Sequence, residues 1–223
     1  MEKKLPREEK LPRISVLTPT ANRAKFLSFG IHNLRVTHYP KELIEWVILD
    51  DGDEPYFANP TVLEKVRKIL HPIKIIYKYN KQKYKNVGEK RNATVRLSTE
   101  NYLVNMDDDD LYTSQHFENG IRLLLQNKRK IGLVGHSSNI VIYPYSNYQL
   151  TYNRCIDIVQ LTENTMIFTR KHWKITGFRS DKCMEGKGMT ENITGACMFY
   201  NAENWTVLQV AHKSNTVNKD KFM

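Results

Sequence analysis

Four consecutive aspartates, Asp107 to Asp110, follow the apolar run Tyr102-Leu103-Val104 and precede Leu111-Tyr112. Carboxylates crowded at the end of a buried strand need a cation, because desolvating an unpaired one is costly. A divalent metal carrying a phosphorylated ligand would meet that need. An aspartate run in a loop is also what a solvated acidic turn looks like, so the reading depends on company. The chain supplies it: Thr18, Pro19, Thr20 and Arg23 follow an apolar run, and Asp50-Asp51-Gly52 follows another. The cations Lys90 and Arg91 sit in a short helical pattern, and Glu185, Glu191 and His212 come late in the chain. Carboxylates accept hydrogen bonds and bind cations, guanidinium and ammonium groups hold anions, and imidazole is a common metal ligand beside carboxylates.

The elements that would position these residues are legible from apolar periodicity. Ile14-Ser15-Val16-Leu17 reads as a strand, and Ala24, Leu27, Ile31 and Leu34 form a helical stripe after it. Trp46-Val47-Ile48-Leu49 is a second strand, Leu63, Val66 and Leu70 mark a helix, and Ile73 to Tyr79 is a third strand. A helix over Lys90 to Ser98 leads to the strand that carries the aspartates, and Phe117, Ile121, Leu124 and Leu125 mark a helix behind a Ser114 cap. Strands alternating with helices predict an α/β fold with a mostly parallel central sheet and helices on both faces. Ligands of such sheets bind outside the carboxyl ends of the strands, where Thr18 to Thr20, Asp50 to Gly52 and Asp107 to Asp110 all fall. Further on, Ile140 to Tyr145 and Tyr148 to Tyr152 read as a hairpin, with strands over Thr165 to Thr169 and Trp205 to Val210.

Composition narrows the class. The chain has 223 residues, 40% hydrophobic and 26% charged, enough for one well-cored domain. Residues 1–12 read as a polar arm interrupted by Pro6 and Pro12, and 13–223 as a single domain. No apolar stretch approaches the roughly 18 residues that span a bilayer, and the charged start is unlike a signal peptide. Cys155, Cys183 and Cys197 form neither a metal pattern nor an even disulfide framework, so a reducing, cytoplasmic setting is expected. The acceptor patterns at Asn92, Asn192 and Asn204 then have no glycosylation to serve. A net charge of +10 invites nucleic acid. The cations are spread, however, and no helix-turn-helix, zinc-finger or RNP pattern accompanies them, so no nucleic-acid partner is expected.

Four segments in order resemble the nucleotide-sugar glycosyltransferases of family 2, which have the GT-A fold. They are Val16-Leu17-Thr18-Pro19-Thr20-Ala21-Asn22-Arg23, Val47-Ile48-Leu49-Asp50-Asp51-Gly52, Lys90-Arg91-Asn92-Ala93 and Met106-Asp107-Asp108-Asp109-Asp110. Ala21 and Asp53 depart from the residues more usual in the family. The resemblance implies a nucleotide-binding half over about 13–112 and an acceptor half over about 113–223. It implies a nucleoside cradle from Thr18, Pro19, Thr20, Arg23 and one or both of Asp50 and Asp51, with Lys90 and Arg91 toward base or diphosphate. It further implies Asp109 as a ligand of Mn²⁺ or Mg²⁺, Asp107 or Asp108 on the ribose or a metal-bound water, and Asp110 as a supporting charge. His212 resembles the family's late metal-ligating histidine. Gly177-Phe178 through Glu185-Gly186-Lys187-Gly188 resembles the acceptor-side segment with the catalytic base, Glu185 or alternatively Glu191.

The implied activity is a metal-dependent, inverting transfer of a sugar from a nucleoside diphosphate, UDP foremost, to an acceptor hydroxyl. The acceptor stays open among glycan, lipid and protein, and a lipid acceptor would bring peripheral membrane contact. Two alternatives come from other classes: a sugar nucleotidyltransferase, against which the glycine-free Thr18-Pro19-Thr20-Ala21 loop argues, and a basic nucleic-acid-binding module.

Overall fold

The computed structural model describes residues 10–127, 131–136, 138–154, 157, 161–180, 184–191, 197–200, 207–213, 215 and 219. Residues 1–9 of the polar arm, Cys155, Cys183 and the segments at Asn192 and Asn204 lie outside the described residues.

Strand β1 (Ile14–Thr20) and β2 (Ile44–Asp50) are buried along their whole length, as expected of strands covered on both faces. Strands β3 (Lys74–Tyr79) and β4 (Tyr102–Asn105) pair parallel with β2 and β1 respectively. β9 (Ile167–Thr169) lies antiparallel between β4 and β6 (Leu133–His136), and β10 (Cys197–Tyr200) pairs parallel with β6. The seven strands run in the order β10-β6-β9-β4-β1-β2-β3. Helices α1 (Leu27–Val36), α2 (Pro60–Leu70) and α4 (His116–Gln126) pack Leu34, Val66, Leu70, Ile121 and Leu124 with Val16, Trp46, Ile48 and Val104 on one face. On the other face, α3 (Val87–Leu97), α5 (Arg170–Thr176) and α6 (Lys187–Thr190) lie over a core that joins Val95, Phe178 and Met189 to Leu17, Val47, Leu103 and Phe168. The expected architecture is therefore present.

A second sheet of four strands was not foreseen. β5 (Asp110–Tyr112), β11 (Val207–Val210), β7 (Ser138–Tyr143) and β8 (Gln149–Arg154) lie side by side in that order. The expected hairpin is its β7–β8 pair, with Ile140 opposite Tyr152. The chain passes from the large sheet to the small one between Asn105 and Asp110, so the aspartate tetrad is the joint between them.

Local chemistry explains the helix starts. Asn59 accepts from Thr61 N with Pro60 in the first turn, and Asn86 accepts from Glu89 N at 2.8 Å. The Ser114 cap is a correction: α4 begins after Gln115 without a side-chain cap, because the Ser114 hydroxyl turns to the Gln115 side chain at 3.0 Å. The strand expected over Thr165 to Thr169 is shorter, since Glu163–Thr165 forms a 3-10 turn before β9.

Candidate active site

The carboxyl ends of β1 and β4 open onto a cleft of about 340 Å³ lined by Pro19, Thr20, Arg23, Lys90, Arg91 and Asp107, with Ala21, Asn22 and Val87 at its walls. Most of the sequence-predicted donor residues thus meet in one place, although they come from three segments.

Each aspartate of the tetrad has its own set of partners, with Arg23 shared by Asp108 and Asp109. Asp107 receives both prongs of Arg91, Nη1 to Oδ1 at 2.9 Å and Nη2 to Oδ2 at 3.1 Å, a pairing only a planar guanidinium makes. Asp108 is fully buried, accepts from the Thr20 hydroxyl, and lies 3.0 Å from Arg23 Nη1. Burial above all, with Asp109 beside it, pushes Asp108 up to about 6 against the pull of Arg23 and Thr20. Asp109 lies 2.9 Å from both Arg23 Nη1 and His212 Nε2. Burial raises its proton affinity, but the His212 hydrogen bond and the Arg23 charge outweigh burial and hold it below the ordinary range. Asp110, which the resemblance gave as a supporting charge, is the first residue of β5. It is buried, accepts from Asn164 Nδ2 at 2.7 Å, and burial with the charges of Asp109 and Asp107 raises it well above the ordinary range.

The cations are set by the same logic. Burial disfavours the Arg91 guanidinium, yet Asp107 and Glu185 outweigh that and hold it firmly charged. Lys90 Nζ lies 2.6 Å from Asp51 Oδ1 and 3.2 Å from the Thr20 carbonyl. Asp51 also accepts from Tyr84 N at 3.0 Å, and it meets the cleft through its contact with Lys90. Asp50 is turned inward: its oxygens accept from Gly52 N at 3.0 Å, Tyr56 N at 2.5 Å and Tyr77 Oη at 2.9 Å. Thr18 is occupied as well, donating to the Met106 carbonyl at 2.8 Å and accepting from Trp46 Nε1 at 2.9 Å. Pro19 and Thr20 line the cleft itself.

The two candidate bases separate clearly. Glu185 is buried and lies 3.0 Å from Arg91 Nε, so one guanidinium touches both it and Asp107. Glu191 is partly exposed and pairs with Arg179 at 2.7 Å.

Several residues of the site were not singled out from the sequence. Gly88 lets the Glu185 segment reach α3, since an added Cβ would stand 1.7 Å from the Arg179 carbonyl oxygen and 3.1 Å from Glu185 Cβ. The helix expected from the sequence began at Lys90, past Gly88, so no signal marked this glycine. Asn92 clamps the same segment through Phe178, accepting from its N–H at 2.9 Å and donating to its carbonyl at 2.8 Å. Glu163 accepts from Gly186 N at 2.8 Å, and burial with the nearby Glu185 charge raises it. Asn215 receives the His212 backbone N–H at 2.7 Å and places its own Nδ2 3.0 Å from His212 Nε2.

Among the described residues no three of His, Cys, Asp and Glu are grouped to hold a metal by themselves. Mg²⁺ and Mn²⁺ use oxygen and imidazole donors, and Mg²⁺ in phosphate sites takes one or two carboxylates with the rest from phosphate and water. Asp109 Oδ2 and His212 Nε2, already adjacent, fit such an ion.

A mostly parallel sheet between helical layers, with acidic and basic groups converging at its strand ends, is a doubly wound α/β arrangement with its ligand site at the carboxyl ends of the strands. Residues 15–201 match the family model of glycosyl transferase family 2, and the chain belongs to that family. Among solved structures, a mannosyltransferase from Pyrobaculum calidifontis, PcManGT, in complex with GDP-Man and Mn²⁺ is similar with a TM-score of 0.69 at 17% identity, over 93% of this chain and 59% of that one. S. aureus TarS 1-349 in complex with UDP-GlcNAc is similar at TM-score 0.65 and 14% identity, over 92% of this chain and 60% of that one. These are GT-A folds, and the chain spans about 60% of their length. No curated protein sequence matches it.

Proposed function

We propose that the protein transfers a sugar from a nucleoside diphosphate, UDP foremost, to an acceptor hydroxyl, with inversion and with Mn²⁺ or Mg²⁺. The observation that carries this reading is the cleft where Arg23, Lys90, Arg91 and Asp107 meet beside the Asp109–His212 pair. Nucleotide sugars and Mn²⁺ in the similar structures support it.

In this mechanism, Pro19, Thr20 and Asp51 cradle the nucleoside while Arg23, Lys90 and Arg91 face the diphosphate. Asp107 or Asp108 serves the ribose or a metal-bound water. Asp109 and His212 would hold the metal, which supplies charge neutralisation as the nucleoside diphosphate leaves. Glu185 takes the proton of the attacking hydroxyl, and its place beside Arg91 ties that base to the donor pocket. Inversion follows from a single displacement, which needs one base and no covalent intermediate. Asp50 and Thr18 act through the backbone they hold. The donor half is assigned to about 13–112 and the acceptor half to about 113–223, in a cytoplasmic setting suited to three cysteines without a disulfide pattern.

The test is a thermal-shift panel of UDP, GDP, CDP and their sugars, each with and without Mn²⁺. A UDP-specific, Mn²⁺-dependent shift is expected; a larger shift with GDP would change the donor, and no shift with any nucleotide would overturn the reading.

A further inference from the structure

The carboxylate that the proposed function uses as a base stands in a tight turn, and that turn leaves one amide to be held from outside. Lys187 N donates to the Met184 carbonyl at 3.0 Å, which makes Glu185 and Gly186 the two central residues. The Gly186 N–H takes no part in closing the turn, yet Gly186 is buried, and a buried amide needs a partner. Glu163 is that partner, accepting through Oε1 at 2.8 Å. The turn also opens on Met184 at φ 58°, a left-handed conformation that methionine keeps only where the surroundings impose it.

Glu163 is itself anchored to the strand that leads into the aspartates. It opens the 3-10 turn Glu163–Thr165, its carbonyl accepts from Asn105 Nδ2 at 2.7 Å, and Asn105 N donates to the Met166 carbonyl at 3.0 Å. Asn105 ends β4, two residues before Asp107. The approach to the base segment is close: a Cβ on Gly186 would stand 2.5 Å from Met166 Cε and 2.9 Å from Glu163 Oε1. Electrostatics agree with the contact. Burial first, and the Glu185 charge after it, raise the proton affinity of Glu163 against the pull of Arg91, whose guanidinium feels Asp107, Glu185 and Glu163 together.

We infer that Glu163 is the positioning residue of the base: by holding the Gly186 amide it fixes the turn on which Glu185 meets Arg91. Glu163 acts through Glu185 and touches no reacting atom, so this inference rests on the reading of Glu185 as the base. What the role requires is an acceptor oxygen at the Gly186 amide. Glutamine keeps one; alanine leaves a buried N–H unpaired and lets the turn relax the backbone at Met184. A base works only within about 2.6 to 3.2 Å of the proton it takes, and a misplacement of about 1 Å can cost about 10²-fold in rate.

The test is a double-mutant cycle on the full chain, read as release of nucleoside diphosphate with water as the acceptor, from the UDP- or GDP-sugar that gives the largest thermal shift. Glu163→Ala should lower kcat by about 10²-fold while the affinity for the nucleoside diphosphate holds, and Glu163→Gln should recover most of that loss. In a Glu185→Gln background the same alanine substitution should cost little, because the base it places is gone; a merely structural residue would cost as much in both backgrounds. Gly186→Ala crowds the same contact from the other side and should resemble Glu163→Ala, which keeps the test open should the latter chain melt. A readout free of turnover is hydrogen exchange over residues 184–191, faster in Glu163→Ala and restored in Glu163→Gln. Equal losses in the two backgrounds, a Glu163→Gln enzyme as slow as Glu163→Ala, or unchanged exchange in Glu163→Ala would each overturn the inference alone. Normal turnover in Glu185→Gln would overturn it together with the reading of Glu185 as the base.

Discussion

Arg91 and Glu185, 94 residues apart in sequence, meet through a 3.0 Å contact deep in the protein, while the far side of the same guanidinium grips Asp107. The donor side and the proposed acceptor side are thereby fixed to one planar group. Arg91→Lys keeps the charge but loses the fork, so Asp107 and Glu185 can no longer be held together. A misplacement of about 1 Å can cost about 10²-fold in rate, and a fall of that order in kcat/KM is expected. Turnover assays with a UDP-sugar check it, and an Arg91→Lys enzyme of normal kcat/KM would remove the link between the two carboxylates from the mechanism.

Glu185→Gln should lower turnover by about 10² to 10⁴ while nucleotide-sugar affinity stays nearly unchanged, the pattern of a lost general base. Glu191→Gln should be close to wild type, because Glu191 is engaged with Arg179 away from the Arg91 guanidinium. Steady-state kinetics of both variants decide the matter. A large loss in Glu191→Gln alone would transfer the role.

Asp109→Ala should abolish the Mn²⁺-dependent part of nucleotide stabilisation, which is about 2.7 kcal/mol at a hundredfold excess of ligand over its Kd. His212→Ala should weaken Mn²⁺ binding in the presence of UDP without unfolding the chain, since His212 lies at the end of β11 and is not part of a core. Calorimetric titration of Mn²⁺ into nucleotide-saturated protein measures both. Unchanged Mn²⁺ affinity in the two variants would place the ion elsewhere.

His116 offers a test of stability against pH that does not involve the cleft. Both ring nitrogens are buried without a hydrogen-bond partner, and burial, with His136 nearby, lowers the group to about 3. The unfolded chain binds the proton near pH 6.5 and the folded one only near 3. Stability from this group is therefore complete above about 6.5 and declines as the pH falls toward 3. His116→Phe should flatten that decline in thermal melts between these limits. It should also gain stability at neutral pH on the order of the 1–3 kcal/mol that an unpaired buried polar group costs. Equal slopes for the two proteins would show that the ring finds a partner in solution.

The lining of the cleft was readable because its residues sit at or just past the ends of strands that apolar runs announce. Pro19 and Thr20 at the end of β1, Arg23 just past it, and Asp107 after β4 needed only the rule that parallel sheets bind ligands at their carboxyl ends. Asp50 and Asp51 could not be told apart from the sequence, because what separates them is the turn that gives Asp50 the amides of Gly52 and Tyr56. The small sheet was illegible for a different reason: β5 is three residues long, and its partner β11 lies almost a hundred residues on. Contacts such as Glu163 with Gly186 or Asn92 with Phe178 depend on how loops fold back, which no periodicity encodes.

The position of the tetrad between the two sheets bears on how such a gene can change. Because Asp110 already belongs to β5 while Asp107 faces Arg91, deleting any one of the four codons would yield the same shortened run, yet would pull the small sheet a full residue toward the large one. Along a strand that slip exchanges the two faces, so Asp110 would trade places with Leu111. A substitution here alters one side chain's contacts, whereas a change of length alters the register of the small sheet.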